Sequence, residues 1–146
     1  MNEKAVNLFA TTLGYGAAGG IIGVGAGVVS ASTFGKNQEE YEKLAHNSQK
    51  ANLVGGLIGG LGVGMYKNGA NKKVSLALAG AGLLSSFGAV GRDNTNAAML
   101  GLGALGAAAS FTRPVNKFLA ASANKSNKLQ SHYTKVFSDA YYRIIR

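Results

Sequence analysis

Glu42 and His46 stand four residues apart, the spacing at which an α-helix carries two side chains on one face. A carboxylate and an imidazole so placed are two ligands toward a metal ion. The chain has no cysteine, and its other histidine, His132, lies far along the sequence. Glu39 and Lys43 pair at the same spacing, so the stretch reads as a solvated helix face rather than a metal site. Gly14-Tyr15-Gly16-Ala17-Ala18-Gly19 matches the phosphate-cradling pattern of dinucleotide folds, with Glu39 about 20 residues on. Gly101-Leu102-Gly103-Ala104-Leu105-Gly106 matches it equally, and 22 glycines in 146 residues make such matches frequent by chance. Neither has the strand–turn–helix context that the pattern needs. Phe34-Gly35-Lys36-Asn37 lacks the first glycine and the Ser/Thr of a P-loop. No Ser-His-Asp constellation supplies a nucleophile. These residues argue against an enzyme and call for no cofactor and no metal.

The glycines point to packing instead. They fall in four stretches without a charged residue, 5–35, 51–66, 74–91 and 94–112. In the first, Gly16, Gly20, Gly23 and Gly27 mark one helix face. In the second, Gly56, Gly60 and Gly64 do so, with Gly55 and Gly59 beside them. Gly80 and Gly88 lie near one face of the third with Ala77 and Ala81, and Gly101 marks the fourth with Ala97, Ala104 and Ala108. Small residues at this spacing let two helix backbones approach closely, and in lipid such packing is a main driving force for association. A ring that encloses a pore and a set of hairpins that only pack are both consistent with the spacing. No charge within the stretches suggests an ion relay.

The elements that would carry these faces are helices, because Gly and Ala are poor strand residues and no period of two is sustained. The first is expected over 5–34, closed by Gly35-Lys36. Asn37 with Glu40 resembles a capping box and starts a second helix over 38–66, polar in its first half and apolar in its second. Residues 67–73 have turn chemistry. A third helix is expected over 72–90, and a fourth from Asn94 or Thr95 to 112. Pro114 suits the first turn of a further helix. Residues 122–128 are polar enough for a hinge, after which Leu129, Tyr133, Val136, Phe137, Ala140, Tyr141 and Ile144 form a helical apolar face. The fold class is therefore all-α: glycine-zipper hairpins with about four membrane-type helices, plus a basic amphipathic C-terminal helix. Residues 1–112 form the glycine-rich inserting domain and 113–146 the tail.

Charge and hydropathy refine this reading. Mean hydropathy is only +0.09 and the net charge is +9. Arg113, Lys117, Lys125, Lys128, Lys135, Arg143 and Arg146 face Asp139 alone in the tail, so anionic lipid headgroups or nucleic acid are its expected contacts. Residues 36–50 balance three basic against three acidic residues, whereas 67–73 holds three basic and no acidic ones. Four spans would put 67–73 and both termini on one basic side, which the positive-inside rule assigns to the cytoplasm. Ser30-Ala31-Ser32 has the look of a signal cleavage site. The apolar run before it is longer and richer in glycine than a signal core, so the segment is expected to be retained. The second stretch has seven large apolar residues diluted by six glycines, so insertion should depend on pairing.

Gly25-Ala26-Gly27-Val28-Val29-Ser30 echoes Gly80-Ala81-Gly82-Leu83-Leu84-Ser85, as two duplicated hairpins would. Four glycine-zipper runs resemble the mitochondrial inner-membrane translocase family. In style the chain is closer to small bacteriophage membrane-active proteins: holins, and internal virion or ejection proteins that enter the host envelope as a DNA conduit. The latter resemblance implies a self-associating, conditionally membrane-inserting virion component, with lipid, further copies of itself and DNA as its partners.

Overall fold

The computed structural model describes residues 2–125 and 127–145, with the backbone alone for 127–130, 133 and 134. Among the described residues it is all-α. The helices are α1 (Glu3–Phe34), α2 (Gln38–Lys67), α3 (Lys72–Ser85), α4 (Thr95–Ala109), α5 (Arg113–Lys125) and α6 (Asn127–Ile144), with a 3-10 turn at Gly88–Gly91 before α4.

Asparagine starts the first three helices. Asn2 Oδ1 accepts from the Lys4 N–H at 3.0 Å, Asn37 Oδ1 from Glu40 N–H at 2.9 Å, and Asn71 Oδ1 from Lys73 and Val74 at 3.0 and 3.3 Å. The Glu40 carboxylate reaches back to the Lys36 N–H at 3.0 Å, one residue before the cap. Asn94 occupies the same position before α4, but its side chain makes no capping bond. The α2–α3 turn is a Schellman closure. Ala70 N–H donates to Met65 O, Gly69 N–H donates to Tyr66 O, and Gly69 takes φ +77.

Helices α1 to α4 run as successive antiparallel hairpins, each packed mainly on its sequence neighbours. Gly27 meets Ala45, Gly23 meets Gln49, Gly16 meets Leu57 and Gly60 meets Thr12, so α2 descends as α1 climbs. Helix α5 lies on α3 and α2, and α6 lies against α1. The small core joins Leu76, Ala79 and Leu119, with Val63, Tyr66, Val115 and Ala120 packed against it.

Several expectations change here. Among the described residues one helix, α1, is long and apolar enough to cross a membrane, not about four. At 32 residues it is about 48 Å long, against a hydrocarbon core of about 30 Å. Helices α3 and α4 have 14 and 15 residues, too short for that core. The apolar half of α2 is diluted by glycine, and its first half is polar. The run over 72–90 breaks after Ser85. There Ser86 Oγ donates back to Gly82 O, Ser85 Oγ donates across to Met99 O, and Gly88 drops against Met99. Helix α4 stops at Ala109, where the Ser110 and Thr112 hydroxyls bond the last carbonyls. Of the proposed hinge over 122–128, residues 122–125 are helical within α5 and Ser126 lies outside the described residues.

Glycine substitutions should separate by environment. A Cβ at Gly25 meets open space, so Gly25→Ala should stabilise by about 0.5–1 kcal/mol through helix propensity. Gly69→Ala should cost about 1 kcal/mol from its left-handed conformation. A Cβ at Gly62 would lie 2.6 Å from Ser75 O, and Gly62→Ala should cost about 1–3 kcal/mol as an overpacked contact. Unfolding of the three variants in detergent micelles, followed by circular dichroism, measures the order.

Candidate functional site

The arrangement of side chains inverts that of a water-soluble bundle. The largest fully buried side chains are Ser75 and Ser110, and the buried hydrophobics are mostly alanines. Ile21, Val29, Phe34, Leu100, Leu105 and Phe111 are all more than 60% exposed. The cause is the glycine spacing. Where two helices meet through bare backbone, little volume remains between them for a large side chain, so most of the large ones point outward. Single exposed apolar residues are ordinary, but a continuous apolar exterior marks a surface meant for lipid or for a partner. Helix α1 shows this most clearly, since only 17% of its most apolar stretch is buried.

Most of the expected packing glycines lie at these contacts. A Cβ on Gly56 would reach within 2.6 Å of Tyr15 O, on Gly27 within 2.8 Å of Ala45 O, and on Gly23 within 2.8 Å of Gln49 Cα. Gly16 meets Leu57, Gly60 meets Tyr15 and Thr12, and Gly64 meets Leu8 and Thr11. Gly80 lies against Gly106 O, and Gly88 against Met99. Gly20 has only an ordinary contact with Leu53, at 3.4 Å. Gly101 faces outward from α4, and among the described residues nothing lies within 4 Å of a Cβ built there. Gly103 and Gly106 take its place on the inner face, against Ser85 and Gly80.

A second seam escaped the sequence reading. Gly55, Gly59 and Gly62 pack on Gly82, Ala79 and Ser75 of α3, while Gly56, Gly60 and Gly64 pack on α1. The doublets Gly55-Gly56 and Gly59-Gly60 were its signal. Adjacent helical positions differ by about 100° in direction, so paired glycines clear two faces and place α2 between two partners.

Between α1, α2, α3 and α5 runs an apolar groove of about 480 Å³. Gly55, Gly56 and Gly59 line it along α2, with Ile22, Leu83 and Phe118 on its neighbours. The Tyr15 hydroxyl, also in the lining, is buried and has no hydrogen-bond partner among the described residues. Among the described residues the lining holds no carboxylate, amine or imidazole, and its apolar surface can accommodate a hydrocarbon chain.

The polar end tells a different story from the one expected. Lys43 pairs not with Glu39 but with Asp93. Asn47 Nδ2 donates to Arg92 O at 2.7 Å, and Lys50 Nζ to Asn96 Oδ1 at 2.6 Å. Arg92, held at φ 22, reaches Phe34 O at 3.5 Å. These bonds clasp the polar half of α2 to the turn before α4. Glu42 accepts from Gln38 Nε2 at 2.7 Å and His46 is exposed. Among the described residues no three of His, Asp and Glu gather as a metal site. Both glycine-rich dinucleotide matches lie inside helices, at Gly14–Gly19 in α1 and Gly101–Gly106 in α4, without the turn that cradles a phosphate.

Of the tail cations, Arg113, Lys117, Lys125, Lys135 and Arg143 are exposed. The Lys128 side chain and Arg146 lie outside the described residues.

The hydrogen bond and charge of Lys43 hold the Asp93 carboxyl below the usual carboxylate range, and Asp93 in turn raises Lys43. The pair's contribution is therefore present above the ordinary carboxylate range and lost as pH falls through the lowered Asp93 value. At the alkaline side it is lost as pH climbs through the raised Lys43 value. Both groups are exposed, so the pair sets register more than stability. Spin labels at Glu42 and Asn94 should report a broadened distance below the carboxylate range, and Asp93→Asn should give the same broadening at neutral pH.

Comparison of the chain with protein-family models, curated proteins and solved structures returns no match, so its function must be argued from this geometry alone.

Proposed function

We propose that this chain is a membrane-inserting, self-associating helical protein, a virion or ejection component that forms or lines a conduit across a host membrane. The observation that carries the reading is the burial pattern among the described residues. Serine, glycine and alanine fill the helix contacts, while twenty large apolar side chains, among them Ile21, Val29, Leu100 and Phe111, are exposed and few, such as Leu76 and Leu119, are buried. Such an exterior is costly in water, about 1.5–3 kcal/mol for each large side chain left unburied, and without cost in hydrocarbon. Close backbone packing is what holds helices together once lipid removes the hydrophobic drive between them. Helix α1 supplies the length to span.

Self-association is supported by the outer face of α4. Ala97, Gly101, Ala104 and Ala108 lie there exposed, with Leu100 and Leu105 beside them, repeating outside the chain the pattern that packs its interior. The exposed tail cations Arg113, Lys117, Lys125, Lys135 and Arg143 are the contacts for polyanions, whether lipid headgroups or DNA.

A second reading has its own support. The seams of α2 and the inner faces of α1, α3 and α4 are occupied within one chain, as an integral structural subunit that packs and does not conduct would have them. Liposome flotation followed by dye release separates the two. Flotation with release that rises steeply with protein density is expected, and flotation without leakage at any density removes the conduit. Gly101→Leu should reduce cross-linked oligomers about tenfold while leaving helicity unchanged, because the added side chain meets open space in the single chain. Gly56→Leu should instead unfold the α1–α2 hairpin.

A further inference from the structure

We propose that one end of the helix row, built from the start of α1, the α2–α3 turn and the start of α5, is a binding surface for anionic lipid headgroups that sets which way the protein faces in a membrane. It rests on the membrane-inserting reading above and adds an orientation to it.

Packing assembles this end from distant parts of the sequence. Gly64 against Leu8 and Thr11 brings the end of α2 beside the start of α1. Gly80 against Gly106 lowers the last turn of α4 beside the start of α3. Helix α5 begins a few residues later, and Val115 packs against the same core of Leu76, Ala79 and Leu119 as Tyr66 does. Lys4, Lys72, Lys73, Arg113 and Lys117 therefore share an end, all exposed, with Lys67 half-buried among them. Glu3 is the acidic residue on these segments. The opposite end is balanced, with Lys36, Lys43, Lys50 and Arg92 against Glu39, Glu40, Glu42 and Asp93.

The placement of these cations on helix starts is itself unusual. The partial positive charge at a helix N-terminus favours carboxylates and disfavours cations. Helix α2 follows this rule, with Glu39 and Glu40 in its first turn. Helix α3 breaks it with Lys72 and Lys73 and no acidic residue, and α5 begins on Arg113. Three helices start at this end and two, α2 and α4, finish there, so the helix dipoles largely offset one another and the surplus of one sign is that of the five exposed cations. Isolated in water, that arrangement opposes the helices that carry it. Against a phosphate-rich surface it becomes attractive.

The exposed neighbours of these cations select lipid over nucleic acid. Val74 adjoins Lys73, Phe118 adjoins Lys117, Phe111 precedes Arg113 by two residues, and Phe9 lies just beyond a turn from Lys4. A membrane interface meets both demands, phosphate for the cations and hydrocarbon for the apolar side chains. A duplex backbone meets only the first.

The test uses the full chain and its K4Q/K72Q/K73Q/R113Q/K117Q variant, with K36Q/K50Q as the comparison at the balanced end. Each is floated on vesicles of phosphatidylcholine alone and of phosphatidylcholine mixed with phosphatidylglycerol. The wild type should prefer the mixed vesicles. The variant should lose that preference by roughly fivefold per cation removed, bind neutral vesicles as the wild type does, and be at least as helical. The K36Q/K50Q comparison should keep the preference. Equal loss in K36Q/K50Q overturns the proposal, as does an unchanged preference in the variant accompanied by lost affinity for duplex DNA. Wild type that floats on both vesicles while the variant keeps its preference sinks the headgroup surface and leaves insertion standing. Wild type that floats only on anionic vesicles, with the variant failing to float, supports the surface and removes insertion.

Discussion

Helix α2 touches α1 on one face and α3 on another through glycine, so that backbone lies on backbone at both contacts. At Gly19, Gly23, Gly27, Gly55, Gly56 and Gly62 the helices lie so close that one methyl group would have to displace a carbonyl, an amide or a Cα. The seams therefore fix the register of both hairpins. They also leave most of the large apolar side chains outward, apart from a small core around Leu76 and Leu119. The apolar exterior is thus a consequence of the seam and not a separate feature of the composition.

The same constraint explains why the row does not behave as four equal spans. Helix α1 carries no charge beyond Lys4, but its antiparallel partner is apolar only in its second half. The C-terminal half of α1, with Ile21, Val24, Val28 and Phe34 exposed, consequently runs beside the charged half of α2. One neighbour prefers hydrocarbon and the other prefers water along the same stretch. The clasp of Lys43, Asn47 and Lys50 to the turn before α4 holds the polar half in place. A chain with this mismatch is suited to an environment that changes along its length, as at a membrane boundary.

The two ends of the row differ in kind. At one, acidic residues sit on a helix start and offset the nearby lysines, so the end is electrically quiet. At the other, cations sit on helix starts with little to offset them. Antiparallel stacking converts a scattered excess of basic residues into a polarity of the whole molecule. In the membrane reading that polarity distinguishes the two leaflets, and in the structural-subunit reading it distinguishes the two faces of a complex.

Much of the fold was legible in the residues. Asn37 with Glu40 and the turn chemistry of residues 67–73 marked helix limits because that chemistry is local: it satisfies backbone groups within a few residues. The uncharged length of α1 likewise declared itself through composition. The break after Ser85 did not, because it depends on a hydroxyl finding Met99 O across a turn and on Gly88 fitting against the same residue. Nor did the choice among glycines. Gly101 and Gly106 lie on one helix at similar depth in the sequence, yet one faces open space and the other faces Gly80. Spacing by itself determined that smooth helix faces exist in this chain. Only the tertiary structure decided which face met which, because a glycine carries no side chain to record its partner.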